Sequence, residues 1–300
     1  VFIERYISSP RHIEIQVLAD VHGNVVHLFE RECSIQRRHQ KVVEEAPSAL
    51  LTPEVRHAMG EAAKNVARAC NYVGAGTVEF LVDEDLNFYF LEMNTRLQVE
   101  HPVSELISGL DLVREQIFVA EGKPLSFSQE ELSINGHALE VRVYAEDPAN
   151  NFLPDIGELK TYKKPEGLGI RVDDGFREGM HIPIHYDPMI AKLIVHADTR
   201  ENAIDKMIRA IDDYRIVGVS TTLPFCRFAV DHEAFRSGKF DTHFVKNHFK
   251  PEYLNRRTEE LDELAAILGA RFYSEKETAV SMGSGNGQAI ASKWKRNRLS

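Results

Sequence analysis

Cysteine is scarce: there are three, Cys33, Cys70 and Cys226, far apart and odd in number, and no Cys-x-x-Cys occurs. This argues against a disulfide framework and a structural zinc site, and fits a reducing cytoplasm or organelle matrix. Long apolar runs are also missing. None approaches the ~20 residues that span a bilayer, so no membrane role is expected. The chain opens Val-Phe-Ile-Glu, with neither an initiator Met nor a basic leader, and is expected to be a portion of a longer protein. No internal repeat is found. Positive charge is the minority sign: 36 Lys and Arg against 46 Asp and Glu give a formal net charge of −10. Such a balance disfavours a nucleic-acid partner, since phosphates need a clustered basic surface.

What is present is an ordinary globular composition, 43% hydrophobic and 27% charged over 300 residues, enough for one large or two smaller domains. Residues 12–30 alternate around His22-Gly23-Asn24 and predict a hairpin. Residues 52–70 predict a helix, with Thr52 as cap, Pro53 first, and Val55, Met59, Ala62, Val66 and Ala69 as one apolar stripe. A second hairpin is expected from Thr77–Val82 and Phe88–Met93 around a four-residue loop, 84–87. Residues 103–120 predict one helix, and 134–197 mixed strands. Asp198 and Thr199 start a helix with Ile204, Met207, Ile208 and Ile211 on one face. Beyond Phe249, Thr258 is a candidate cap for a helix Glu259–Leu268 ended by Gly269. Ser281–Gly287 is a Gly/Ser linker and Lys293–Arg298 a basic end; residues beyond about 270 are expected to be loosely packed.

The densest chemical signal is Glu92 to Pro102, Glu-Met-Asn-Thr-Arg-Leu-Gln-Val-Glu-His-Pro. With the loop at 84–87, Asp83 pairs with Phe88, Glu79 lies opposite Glu92, and alternation puts Asn94 on the same face. Facing carboxylates repel unless a cation lies between them, and oxygen ligands suit magnesium. Two exposed carboxylates on a solvent face is the plainer alternative. Arg96 offers a planar fork for a small anion, and Glu100 a carboxylate that burial and neighbours can tune into a base. His101 reads better as a structural hydrogen-bonding residue. The second signal is Arg31 to Pro47, where Arg, His and Lys crowd together as candidate phosphate donors, with a solvated basic loop as the alternative. Cys33 reads as an inert thiol.

Ser34–Pro47 (SIQRRHQKVVEEAP) and Glu92–Val103 (EMNTRLQVEHPV) resemble the signature segments of biotin carboxylases, found in acetyl-CoA, propionyl-CoA and pyruvate carboxylases. Pro10–Leu18, Gly74–Leu81, Gly136–Pro148, Phe152–Pro154 and Tyr186–Leu193 agree, so the resemblance covers about residues 1–248. Carbamoyl-phosphate synthetases share Glu-x-Asn-x-Arg but lack Gln-Val-Glu-His after it. The resemblance implies an α+β chain: the C-terminal half of an ATP-grasp fold with an antiparallel sheet over 1–128, the biotin carboxylase C-terminal domain over 134–248, and a tail over 249–300.

By the same resemblance, Glu4, the backbone of Arg5 and Ile7 belong to the adenine end, His12, Gln36 and Leu81 to the nucleotide, and His39 and Lys41 to its phosphates. Glu79, Glu92 and Asn94 match the magnesium (or manganese) site, with Glu92 also an ATP contact. Arg96, Gln98 and Val99 match the bicarbonate site. Glu100 matches the catalytic base, with Arg96 and Lys41 beside it; Arg171 matches the arginine that stabilises the biotin enolate, and Asp187 a position near biotin. Arg96, Glu100 and Arg171 are therefore expected to line one pocket. The implied reaction uses ATP, bicarbonate and biotin. Glu100 deprotonates bicarbonate, carboxyphosphate forms and breaks down, and the biotin enolate takes up carbon dioxide.

No Met-Lys dipeptide occurs, so biotin is expected on a separate carrier protein or domain. The other implied partners are a second copy of the chain and a carboxyltransferase. The family's first domain and most of its Gly-rich lid have no counterpart here, so the chain alone is expected to be inactive. A non-catalytic nucleotide-binding or dimerisation piece and another ATP-grasp ligase are the competing readings.

Overall fold

A computed structural model describes residues 3, 6–183, 185–254 and 263–273. Residues 1–254 form one compact unit and 255–300 another.

In the first unit, the strands are β1 Arg11–Ala19, β2 Val25–Arg37, β3 Gln40–Ala46, β4 Gly74–Val82, β5 Phe88–Asn94, β6 His137–Tyr144, β7 Glu146–Asp147, β8 Leu153–Pro154, β9 Thr161–Lys163, β10 Ile170–Asp174, β11 Met189–Ala197 and β12 Arg215–Val217. Eight of them make one antiparallel sheet in the order β10-β11-β6-β3-β2-β1-β4-β5. β7 pairs with β8, and β9 with β12. The boundary expected near residue 130 falls in a connection, and the sheet runs across it through the β3–β6 pairing.

Directly paired residues point to the same side of a sheet. One such row is Ile13, Glu32, Glu45, Leu139 and Val195. The helices α1 Pro53–Ala69, α4 Arg200–Asp213 and α5 Leu223–Asp231 cover that side, packing Met59, Ala63 and Ala67, then Ile204, Met207 and Phe225, over it. The opposite side carries Glu14 beside Arg31 and Glu79, Glu79 beside Glu92, and Glu44 beside Glu140. Two short helices pack over part of it: α2 His101–Ser108 through Val103 and Ile107, and α3 Leu112–Ala120 through Leu112 against Leu18, Val26 and Ala75.

Local signals act largely as expected. Thr52 accepts from Val55 N at the start of α1, and Thr199 from Asn202 N at the start of α4. The buried line of α1 is Met59, Ala63 and Ala67, with Val55, Ala62 and Val66 flanking it and Ala69 exposed, so the stripe sits one position round from the expected one. The expected helix 103–120 is two helices, because Gly109 closes α2 at φ 74° and Asp111 caps α3 Leu112–Ala120 by accepting from Arg114 N. The β4–β5 loop is five residues: Asp83 N donates to Asn87 O, and Val82, not Asp83, pairs with Phe88. A bulge at Leu91 then restores Glu79 opposite Glu92.

In the second unit, residues 263–273 are helical, and the helix continues past Gly269 instead of ending there. Thr258, the Gly/Ser linker and the basic end lie outside the described residues.

Candidate active site

The second side of the sheet is alternating by construction. In β1, His12, Glu14 and Gln16 interleave with Ile13, Ile15 and Val17, so the apolar residues go under α1 and the polar ones face away. The same holds in β6 for Glu140, Arg142 and Tyr144 against Leu139, Val141 and Val143. Above this polar side lies a cleft of about 560 Å³, lined by residues from six separate stretches of chain. They include His12, Gln36, His39, Lys41, Glu79, Glu92, Asn94, Arg96, Gln98, Val99, Glu100 and Asp187, all expected from the sequence, and also Arg142 and Tyr144, which were not.

Arg31 anchors the floor. It is fully buried and donates to Glu14, to Gln16 Oε1 (2.6 Å), Ser104 Oγ (3.0 Å), Thr77 Oγ1 (3.0 Å) and Gln98 Oε1 (3.1 Å). Gln98, thus turned, gives its Nε2 to Glu79 Oε1 at 2.9 Å. The Lys41 ammonium sits among three carboxylates: Glu14, Glu79 Oε1 (2.9 Å) and Glu100 Oε1 (2.7 Å). Burial opposes its charge, but Glu14, Glu100 and Glu79 outweigh that and raise its pKa. Burial likewise would raise Glu79, yet His12, 3.1 Å away, and Lys41 hold it down at about 2. His12 is raised to about 9, because Glu14 and Glu79 outweigh its burial.

Glu100 is the pivot. It is 2% exposed, with Lys41 on one oxygen and Arg142 Nη2 on the other at 2.9 Å. Arg142 is itself held by Glu44, whose Oε1 accepts from Nε at 2.6 Å. Val99 presents its backbone here, its carbonyl accepting from Lys192 Nζ at 2.9 Å. Arg96 is exposed at the rim and, among the described residues, makes only a long 3.4 Å bond to Leu97 O, so its fork can turn to an anion. His39, at φ 66°, and Arg38, at φ 50°, form the β2–β3 turn on another edge of the cleft. Gln36 donates to Cys33 O at 2.8 Å, and Cys33 is buried with its thiol pushed well up by burial.

Among the described residues, three expected members do not line the cleft. Arg171 on β10 is absent from the cleft lining, because two carboxylates take its guanidinium: Asp173 receives Nε and Nη2, each at 2.8 Å, and Glu105 receives Nη1 at 2.7 Å. The guanidinium beside Glu100 is that of Arg142. Its signal was the polar alternation within His137–Tyr144, two charges on one face of an otherwise apolar strand. Arg31, Glu14 and Gln16 carried the same signal in β1 and β2. Leu81 lies on β4 opposite His12, two residues from Glu79, and Ile7 is half-buried; neither lines the cleft. Glu4 and Arg5 lie outside the described residues. His101 Nδ1 donates to Gln98 O at 2.7 Å, the structural role expected of it.

The donor set fits a hard divalent cation. Glu79 and Glu92 face each other across β4–β5, Asn94 Nδ2 reaches Glu79 Oε1 at 3.1 Å, and an ammonium already stands in this carboxylate cluster.

Family models match both parts of the chain: residues 1–128 match the carbamoyl-phosphate synthase L chain, ATP binding domain, and residues 140–247 the biotin carboxylase C-terminal domain. A pyruvate carboxylase subunit of Methanothermobacter thermautotrophicus is 50% identical over 93% of this chain and 57% of that protein. Biotin carboxylase 1 of Bacillus subtilis is 52% identical over 83% of this chain and 55% of its own length. The chain thus spans a little over half the length of these relatives. The biotin carboxylase domain of a thermophilic 2-oxoglutarate carboxylase, solved with bicarbonate, superposes at a TM-score of 0.82 with 49% identity, over 85% of this chain and 57% of that one. The same domain from Hydrogenobacter thermophilus, solved as a dimer with MgADP, ADP and bicarbonate, matches equally well. With the second half of an ATP-grasp sheet, the C-terminal domain that completes it and both family models matched in order, the chain belongs to the biotin carboxylases.

Proposed function

We propose that this chain carries the bicarbonate-activating half of a biotin carboxylase, a ligase that uses ATP to place bicarbonate carbon on biotin. The observation that carries the reading is Glu100, buried between Lys41 and Arg142 beside the Arg96 fork. A carboxylate so placed takes the bicarbonate proton while Arg96, Gln98 and the Val99 backbone orient the anion. Arg142 in the cleft, together with Arg171 as the resemblance implies, is then the cation for the negative charge developing on the biotin ureido oxygen. His39 and Lys41 donate to the nucleotide phosphates, with His12 and Gln36 nearer its sugar. Asp187, whose side chain accepts from Met189 N at 2.8 Å, stands at the biotin edge. Glu79, Glu92 and Asn94 would hold magnesium or manganese, which when bound neutralises phosphate charge.

The supports for the wider assignment are the relatives' names and the chain's composition. Biotin would come on a carrier protein or domain and pass to a carboxyltransferase, with acetyl-CoA, propionyl-CoA or pyruvate as final acceptor. A homodimer in the cytoplasm or mitochondrial matrix suits the bacterial and mitochondrial relatives. Among the described residues no helix is long and apolar enough to cross a membrane.

Bicarbonate-dependent ADP release with free biotin tests the reading, run with this chain and with a full-length relative carrying the same substitutions. The chain alone should turn over far more slowly. In the relative, the counterpart of Glu100→Gln should lose about 10²–10⁴ in rate, and that of Arg142→Ala should lose biotin carboxylation more than bicarbonate-dependent ATP cleavage. Near-normal turnover in the Glu100→Gln counterpart would remove the reading.

A further inference from the structure

Behind Arg142, away from the cleft, the sheet buries two carboxyl groups against each other. Glu44 on β3 and Glu140 on β6 are directly paired, and both are fully buried. Glu44 Oε1 accepts from Arg142, but among the described residues its Oε2 and both carboxyl oxygens of Glu140 have no hydrogen-bond partner. Two like charges at paired positions in a dry interior cannot both persist with one shared cation.

Among the described residues, every other nearby cation is already engaged. Glu140 faces Glu44, Lys192, Arg142 and Glu100; Glu44 faces Arg142, Glu100 and Lys41. Lys192 is taken by Val99 O at 2.9 Å and Asp173 at 3.4 Å, and Lys41 by its own three carboxylates. From α2 come Val103 and Ile107, which with Ala46, Ala138 and Ile194 make an apolar cover next to the pair. The polar groups of α2 are engaged elsewhere: Glu105 with Leu112 N and Arg171, His101 with Gln98 O, Ser104 with Arg31.

We propose that Glu44 and Glu140 hold one proton between them, carried on Glu140, so that Glu44 stays charged and aims the Arg142 guanidinium at Glu100. Glu140 and Glu44 are positioning residues: neither reaches the cleft, and both act through Arg142. Burial drives both carboxyls up, Glu44 to about 7 and Glu140 well above the ordinary glutamate range, and Arg142 pulls Glu44 back, which agrees with the division of roles. The functional meaning of Arg142 rests on the reading above; the proton count does not.

Infrared spectroscopy of the chain reads the proton directly. A protonated carboxyl C=O band should persist at about pH 7, far above the ordinary glutamate range, and vanish in Glu140→Gln. Stability gives a second reading. A carboxyl protonated in the fold and ionised when unfolded makes the native protein lose stability as pH rises above about 4.5. The wild type should therefore fall relative to Glu140→Gln, or to Glu140→Leu if the amide does not fold, as pH climbs. The aiming role is read from the Arg142 Nε–H signal in nuclear magnetic resonance: its exchange should quicken about tenfold or more in Glu44→Gln, as an unprotected group's does, and stay slow in Glu140→Gln. A missing band, a band that survives Glu140→Gln, or parallel stability curves would overturn the shared proton. Equal exchange in wild type and Glu44→Gln would overturn the aiming. Because none of these readouts needs turnover, near-normal turnover in the Glu100→Gln counterpart would remove the proposed reaction and leave the pair standing.

Discussion

The same strands present two sides built on different rules. Under α1, α4 and α5, apolar side chains interdigitate, and the charges on that side, Glu30, Glu32 and Glu45, each pair with an arginine: Arg56, Arg11 and Arg200. On the other side the charges share partners, Arg31 serving five side chains and Lys41 three carboxylates. Apolar contacts are many and individually small, so the first side loses stability in graded steps. A network in a dry interior fails at single members, because each deletion leaves a buried charge unpaired. The difference teaches where the fold is held and where it is held ready: charge is concentrated on the side that three helices leave uncovered.

The sharpest way to break this contrast is Arg31→Ala. It should cost about 3–5 kcal/mol by leaving Glu14 buried with less compensation, read from urea unfolding. A loss under about 1 kcal/mol would mean the polar side is as forgiving as the apolar one.

Both sides should lose stability in acid, through Glu79 and Glu45, while the alkaline loss comes from the cleft side. On the helix side, burial would raise Glu45, but His137 and Arg200 hold it at about 2. Its contribution is therefore present above the unfolded value of 4.5 and lost as pH falls toward 2, on the order of 3 kcal/mol. On the cleft side, His12 is raised to about 9, so its contribution is complete below 6.5 and lost as pH rises through 9. Glu45→Gln should flatten the acid limb of a stability–pH curve and His12→Gln the alkaline limb. Swapped or unchanged limbs would undo the assignment of each side's charges.

Smaller effects sharpen the apolar half. Ile204→Val, at a fully packed position of α4, should cost about 0.5–1.5 kcal/mol. Arg227→Ala, which removes a surface pair with Asp212 at 2.7 Å, should change stability by less than about 1 kcal/mol. Both are read by thermal unfolding, and an order reversed between them would show that exposed pairs carry more of this fold than burial does.

Much of the site was legible because its residues lie in two short stretches. Glu79, Glu92 and Asn94 share a hairpin, where alternation alone puts them on one face, and the Leu91 bulge offset the misplaced loop residue. Arg142 was missed, and Arg171 expected in the cleft lining, for one reason. Both arginines sit on strands of the same sheet, and a chain read linearly does not say which strand comes to lie next to Glu100. β6 pairs with β3, beside the cleft, while β10 is the sheet's outer edge. The single helix expected over 103–120 failed more locally, because Gly109 and Asp111 supply a stop and a start that a continuous apolar pattern conceals.

The sequence by itself determined the hairpins, the capped helices and the chemistry available, since these depend on spacing within a few residues: caps, alternation and the order Glu-Met-Asn-Thr-Arg-Leu-Gln-Val-Glu. Only the tertiary structure decided which charges meet. Lys41 joins Glu14, Glu79 and Glu100 across gaps of 27, 38 and 59 residues, and Arg142 reaches Glu44 and Glu100 across 98 and 42. The strength of a charge contact depends on distance and burial, and both are set by strand order, which no local pattern encodes.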